Sequence, residues 1–316
     1  MPQLLGNLPI GAKIKDLNTK YYGKPIVFQI IAKNHPGYPA NSVTLITERI
    51  ITLKPFDARE PSNPNTSRQN SGNNRYAHSN IRQWLNKDTS PWYVAQHSYD
   101  APPNNSNVWN GYNDYESEAG FLSNFSAELK SKLLLTTLTV AKSEIDGGGS
   151  ESVQDKVFLL SRTEVGLGNE RGIAEGTPFS FFSSDDARRA YPTEEAVSNS
   201  EYKDNLDASR PWRWWLRTPL FYYPDDARIV RSFPDPIDPV TGMLGLSYVN
   251  DGSVGVRPAL NLPSDILVSD TTDVDGAYII VWSSPLYVRV NGQIRESVSV
   301  HVRVNGQLRE VDRIWT

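Results

Sequence analysis

Trp214-Trp215-Leu216-Arg217-Thr218-Pro219 and Gly255-Val256-Arg257-Pro258-Ala259-Leu260-Asn261-Leu262 are the two stretches whose reading decides the fold. Both are short, apolar and rich in β-branched or aromatic residues, which is how a buried strand reads. Each carries one arginine. An unpaired charge inside such a strand would cost several kcal/mol, so Arg217 and Arg257 are expected to meet a carboxylate or backbone carbonyls and to serve the scaffold. Successive side chains of a strand point to opposite faces. Trp214 and Trp215 therefore divide, one into the core and the other against a loop or a ligand surface.

Working outward, Pro25–Ala32 and Val43–Thr47 form two further strands joined through the turn residues Pro36-Gly37 and Pro39-Ala40-Asn41. Ala227–Arg231 and Tyr278–Trp282 add two more. Ser79-Asn80 supplies an N-cap for a helix over Ile81–Asn86, where Ile81, Trp84 and Leu85 share one face, so Trp84 is a structural residue that packs this helix on the sheet. A second short helix is predicted from Ser126 to Leu134. Asp146-Gly147-Gly148-Gly149-Ser150 reads as a flexible loop, Val157–Leu160 as a buried strand, and Ser161-Arg162-Thr163-Glu164 as a capping box opening one helical turn. The Asn-, Ser- and Pro-rich run from Asp57 to Tyr76 is predicted to be a surface loop, and 91–115 to be irregular. Strands, short helices and long loops together give an α+β class.

Past Trp282 the pattern changes. Tyr287-Val288-Arg289-Val290-Asn291-Gly292-Gln293-Ile294-Arg295-Glu296 recurs as His301-Val302-Arg303-Val304-Asn305-Gly306-Gln307-Leu308-Arg309-Glu310. Alternation around Asn-Gly is the strongest short-range hairpin signal, so two tandem β-hairpins are expected. An isolated hairpin is at best marginally stable in water. The chain is thus divided into a large domain, 1–283, and a repeated hairpin tail, 284–316, whose valines and open strand edges suit assembly, in a homo-oligomer or with other particle proteins, the alternative being that the hairpins pack back on their own domain.

Composition excludes several function classes. No apolar run approaches the ~20 residues that span a bilayer, and the N-terminus lacks a secretory pattern, so membrane insertion is not expected and the chain is expected to fold in a cytoplasm. There is no cysteine, and the four histidines His35, His78, His97 and His301 are scattered, which leaves little material for a His- or Cys-based metal site or a nucleophilic triad, and no cofactor is expected. A net charge of -4 and a pI near 5.7 give no footprint for nucleic acid. Eight Trp, 15 Tyr and 10 Phe interleaved with Asn, Ser, Gly and Pro instead resemble the mixture used by paratopes, where rigid rings supply area and short polar groups adapt.

The WWLRTP and GVRPALNL stretches, in order with Ser79–Asn86 and Asp155–Ser161, resemble a family of domains found in phages and Gram-positive bacteria, over roughly residues 6–283. That family is similar in pattern to the C-type-lectin-like fold of formylglycine-generating-enzyme relatives and of retroelement variable proteins. In those relatives a Gly-x-Arg strand buries its arginine beneath the binding surface, a position that Arg257 matches. Formylglycine-generating activity requires cysteines, which this chain lacks. The resemblance therefore implies a non-enzymatic, ligand-displaying virion protein for host attachment, and the tail resembles the C-terminal repeats of phage structural proteins.

Long loops on such a scaffold carry the candidate ligand-binding residues: Trp212, Trp214, Tyr222, Tyr223, Asp225, Asp226, Arg228, Tyr248 and Asn250. The ligand would be a bacterial surface glycan or protein, and the loops 57–78, 91–120 and 219–250 are expected to share one solvent-facing side. Two alternatives remain: a decoration protein with no receptor, and a surface-polysaccharide hydrolase using carboxylates among Asp225, Asp226, Asp235 and Asp238. Asp270, Asp273, Asp275 and Gly276 look like part of a calcium loop but lack its closing Glu.

Overall fold

The computed structural model describes residues 2–233 and 243–282, together with the backbone of four short strands beyond them. The chain divides into two compact units, Met1–Ile280 and Val281–Thr316. The larger unit is of the α+β class. Its strands are β1 (Gln3–Leu4), β2 (Lys13–Tyr21), β3 (Lys24–Lys33), β4 (Ser42–Thr47), β5 (Thr52–Leu53), β6 (Thr136–Ala141), β7 (Ser150–Asp155), β8 (Val157–Phe158), β9 (Trp214–Pro219), β10 (Asp226–Val230), β11 (Leu244–Tyr248), β12 (Gly255–Val256), β13 (Ala259–Pro263), β14 (Leu267–Thr272) and β15 (Ala277–Ile280). Five short α-helices accompany them: α1 (Thr66–Ser71), α2 (Asn80–Leu85), α3 (Ala127–Lys132), α4 (Asp185–Arg188) and α5 (Glu194–Ser198).

Eight strands form one sheet in the order β1-β14-β15-β2-β3-β4-β13-β8, antiparallel except where β15 runs parallel to β2. A second sheet, β11-β10-β9-β12-β5, has one parallel pairing, β12 with β9. The expected strands 25–32 and 43–47 are β3 and β4, paired antiparallel with Ile30 opposite Leu45. Every residue of β4 is buried, since it is flanked by β3 and β13 and covered on both faces. The Gly-rich stretch expected only as a loop turns a hairpin, β6 to β7, with Gly147, Gly148 and Gly149 all at positive φ.

The 254–262 stretch forms two strands instead of one. Pro258 has no N–H and restricts the residue before it, so the chain leaves the second sheet after β12 and enters the first as β13. Gly255 permits the crossing: a Cβ there would lie 2.7 Å from Ile50 and 2.9 Å from the Arg213 carbonyl. Arg257 sits at the corner, 2% exposed, with Nε donating to the Thr47 carbonyl (2.9 Å) and Nη2 to that of Glu48 (3.2 Å). Its guanidinium lies 5.3 Å from the Trp214 ring centroid, and burial pushes its pKa down to about 10.

Caps start the helices where the sequence places them. Ser79 and Ser126 accept from the N–H of Arg82 (3.4 Å) and Leu129 (3.1 Å). The Ser161–Glu164 box is reciprocal: Ser161 N–H donates to the Glu164 carboxylate (2.9 Å) and Glu164 N–H to Ser161 Oγ (3.1 Å). Glu164 then pairs with Arg217 through both oxygens, at 2.6 and 2.8 Å, with neither side chain exposed. Trp84, Trp214 and Trp215 are all fully buried, and Trp215 Nε1 donates to the Lys54 carbonyl (2.8 Å). The expected division of the 214–215 pair between core and loop or ligand surface is thus corrected: strand β9 lies between β10 and β12 with both faces covered.

The run 57–76 also departs from expectation. It is not simply a surface loop: Asp57, Glu60, Asn63, Arg68, Asn73 and Asn74 are all buried, and helix α1 lies within it. Asp57 accepts from the N–H groups of Asn80 and Asn73 (2.9 Å each), so short polar side chains satisfy backbone that has no strand partner. Burial, with the charges of Asp100 and Glu60 nearby, holds the Asp57 carboxyl well above the ordinary carboxylate range.

In the smaller unit, β16 (Tyr287–Val290) pairs antiparallel with β17 (Gln293–Glu296), and β18 (Val300–Val304) with β19 (Gln307–Val311). These are the two tandem hairpins. Their Asn-Gly turns, like Asp235 and Asp238, lie outside the described residues.

Candidate functional site

The β10–β11 hairpin carries the most solvent-facing candidates. Asp226 lies opposite Tyr248 and Arg228 opposite Leu246. Opposed residues of an antiparallel pair project from the same face, so Asp226, Arg228, Leu246 and Tyr248 share one. Tyr248 is 57% exposed, and Tyr222 and Tyr223, in the turn that enters β10, are 51% and 60% exposed. All three lie at the end of the hairpin where β10 begins and make up its aromatic rim.

That rim is held from below. Asn74, fully buried, directs its Nδ2 at the carbonyls of Leu220 (3.0 Å), Tyr223 (2.8 Å) and Asp226 (2.8 Å), and its N–H donates to that of Pro224 (3.0 Å). One side chain thus fixes the whole turn 220–226. Glu170 organises the side, accepting from Arg228 Nε (2.7 Å) and Nη2 (3.0 Å) and from Arg162 Nη1 (2.8 Å). Burial alone would raise the Glu170 pKa, but the hydrogen bonds and charges of the two arginines hold it below the ordinary value. The Arg171 guanidinium covers the Tyr222 ring at 4.2 Å, a cation–π contact that limits its motion.

Two adjacent carboxylates follow the tyrosine turn, Asp226 being opposite Tyr248. Asp225 and Asp226 are each 6% exposed, and burial together with the Asp225 charge pushes Asp226 up to about 6. Asp226 Oδ1 has no hydrogen-bond partner among the described residues. That atom is buried, so leaving it unpartnered carries a desolvation cost in the folded chain.

The remaining candidates fall elsewhere. Trp214 belongs to the core, its Nε1 donating to the Arg188 carbonyl (3.0 Å), and is removed from the ligand-binding set because no part of its ring reaches solvent. Asn250 is buried, bonding to the Asn70 carbonyl (3.3 Å), and acts as a loop strut. Trp212 is partly exposed but keeps company with Tyr202, not with the 222–248 tyrosines. The three long loops touch one another, Arg59 N–H bonding to the Asn107 carbonyl, Asp57 N–H to that of Val249 and Asn74 N–H to that of Pro224, which corrects the expectation that they face solvent together. They meet by burying much of one another. Asp273 and Asp275 both bind the Lys15 ammonium at 2.5 Å, so a lysine stands where a calcium-loop cation would.

Sequence reading missed Asn74, Arg162, Glu170 and Arg171. Arg162 lies inside the 161–164 capping box and Asn74 inside the polar 57–76 run, but neither pattern points to the partner its side chain finds; only the excess of Asn in that run hinted at chain that relies on side chains for its backbone bonds. No curated protein and no solved structure matches the chain. Residues 41–264, which include both arginine strands and every residue of the tyrosine site, match the family model described as Domain of unknown function (DUF6273), and the chain belongs to that family.

Proposed function

We propose that the larger unit is a receptor-binding module of a bacteriophage or phage-like virion, gripping a bacterial surface glycan or protein with the Tyr222, Tyr223 and Tyr248 rim. The observation that carries this is the pairing of three half-exposed rings with a pinned backbone. Tyr222, half-exposed beside Arg171, and Tyr223 sit on a turn that Asn74 and the Arg228–Glu170–Arg162 cluster hold in place, and Tyr248 stands on β11 opposite Asp226. Preorganisation of this kind lowers the entropic cost of binding.

The scaffold is of the C-type-lectin-like kind in this proposal. Support comes from the first and last strands of the larger unit lying side by side (β1 and β2 beside β14 and β15), from a small second sheet from which the long loops spring, and from a Gly-x-Arg strand whose Arg257 is buried. Residues 284–316 serve assembly, in a homo-oligomer or with other virion proteins. The decoration-protein and hydrolase alternatives predict different outcomes in one experiment. Purified protein is mixed with host cells, and bound protein and released sugar are measured. Saturable binding that is lost in a Tyr222→Ala, Tyr223→Ala, Tyr248→Ala variant with unchanged melting supports the receptor function. Absence of binding across a broad host panel favours decoration, and release of sugar favours hydrolysis by Asp225 and Asp226.

A further inference from the structure

A second set of rings lies apart from the tyrosine rim. Trp109, Tyr112, Tyr202 and Trp212 form a row, with successive centroids 5.6, 5.2 and 6.2 Å apart and tilted or edge-on to one another. Trp109 is 45% exposed, and the other three are partly exposed. The Arg213 guanidinium, 5.7 Å from the Trp212 ring centroid, closes one end. These residues come from three separate segments of the chain, so their alignment is a tertiary feature.

The segments are locked together more tightly than exposed loops need to be. Asn113 and Glu201 exchange bonds, Asn113 N–H to Glu201 Oε2 (2.6 Å) and Glu201 N–H to Asn113 Oδ1 (3.0 Å). Asn113 Nδ2 also reaches Ser200 Oγ (3.0 Å) and the Gly252 carbonyl (2.7 Å), and Trp212 Nε1 donates to the Ser253 carbonyl (2.7 Å). Gly252 passes so close beneath Tyr112 that a Cβ would come within 1.8 Å of its carbonyl oxygen. Asn113 itself sits at φ 55°, a left-handed conformation that asparagine tolerates.

We infer that this row is a second binding platform, for an extended neutral oligosaccharide chain. The exposed Trp109 and the partly exposed rings beside it, at steps of 5.2–6.2 Å, offer faces and edges to the C–H groups of successive sugars, while Asn110, Asp114 and Glu201, adjacent in chain or hydrogen-bonded to the same segments, offer acceptors and donors to hydroxyl groups. A polyphosphate is disfavoured by the carboxylates of Asp114 and Glu201 beside the row and by the net charge of -4. A proline-rich peptide would use the rings but has little to offer those carboxylates.

The test titrates the full chain with neutral and N-acetylated oligosaccharides of increasing length, by calorimetry and tryptophan fluorescence. Affinity is expected to rise with length until the chain has as many sugars as the row has rings. A Trp109→Ala, Tyr202→Ala variant is expected to bind roughly tenfold or more weakly, Trp109→Phe to retain most affinity, and Val274→Ala, at an exposed residue between β14 and β15, to bind as the parent does. Equal melting of parent and variants shows that loss of binding is not loss of fold. The inference is overturned if no oligosaccharide binds tighter than about 1 mM, if the double variant binds unchanged, if Val274→Ala abolishes the same binding, or if a polyproline peptide binds the row in preference to every sugar.

Discussion

Replacing Arg217 with methionine keeps most of the side-chain volume and removes the charge that the core is built around. Its guanidinium donates to both Glu164 oxygens (2.6 and 2.8 Å) and to the carbonyls of Leu159 (2.9 Å) and Glu175 (3.0 Å), with neither Arg217 nor Glu164 exposed at all. After the change the Glu164 carboxylate keeps Tyr38 Oη (2.7 Å) and the Ser161 N–H (2.9 Å) as donors. Breaking one side of a fully buried pair typically costs about 3–5 kcal/mol. That is a large part of the roughly 5–15 kcal/mol that separates a folded domain from its unfolded chain. Removing the second charge as well, in Arg217→Met with Glu164→Gln, leaves no uncompensated ion and is expected to recover part of the loss. Urea unfolding of parent, both single variants and the double variant gives the coupling between the two groups. A loss below about 1 kcal/mol for Arg217→Met, or a double variant no more stable than Arg217→Met alone, refutes the argument that this pair anchors strand β9.

Arg257→Ala leaves the carbonyls of Thr47 and Glu48 unpaired but strands no carboxylate, so it is expected to cost about 1–3 kcal/mol; unchanged thermal melting with lost ligand binding would overturn its assignment to the scaffold. Asp226, raised from 3.8 to about 6, binds its proton more tightly folded than unfolded, so its contribution to stability is present below about pH 4 and is lost as pH rises through 6. Asp226→Asn is therefore expected to match the parent near pH 4 and exceed it at pH 8 in denaturant midpoint, and an equal difference at both pH values counts against the shift. Deleting 284–316 is expected to leave a monomeric, folded larger unit that still binds its ligand and no longer enters particles, as native mass measurement and particle incorporation would record; unchanged assembly would refute the tail's role.

Local pattern carried much of this protein. The β-branched runs at 25–32 and 43–47, the serine caps at 79, 126 and 161, and the alternation around each Asn-Gly of the tail are all set by neighbours within a few residues, and each element formed where its pattern lay. The arginines at 217 and 257 announced burial because an apolar strand gives a charge nowhere else to go. What the sequence could not supply was the partner. Glu164 lies 53 residues from Arg217, and the Thr47 carbonyl lies 210 from Arg257. Tertiary structure alone split the 254–262 run between two sheets, buried Asp57, Glu60, Asn63, Arg68, Asn73 and Asn74 in a segment that composition placed at the surface, and sent Trp212 to the Trp109 row while keeping Trp214 in the core. The reason is physical: periodicity records which way a side chain points from its own element, whereas exposure depends on what distant chain covers that face.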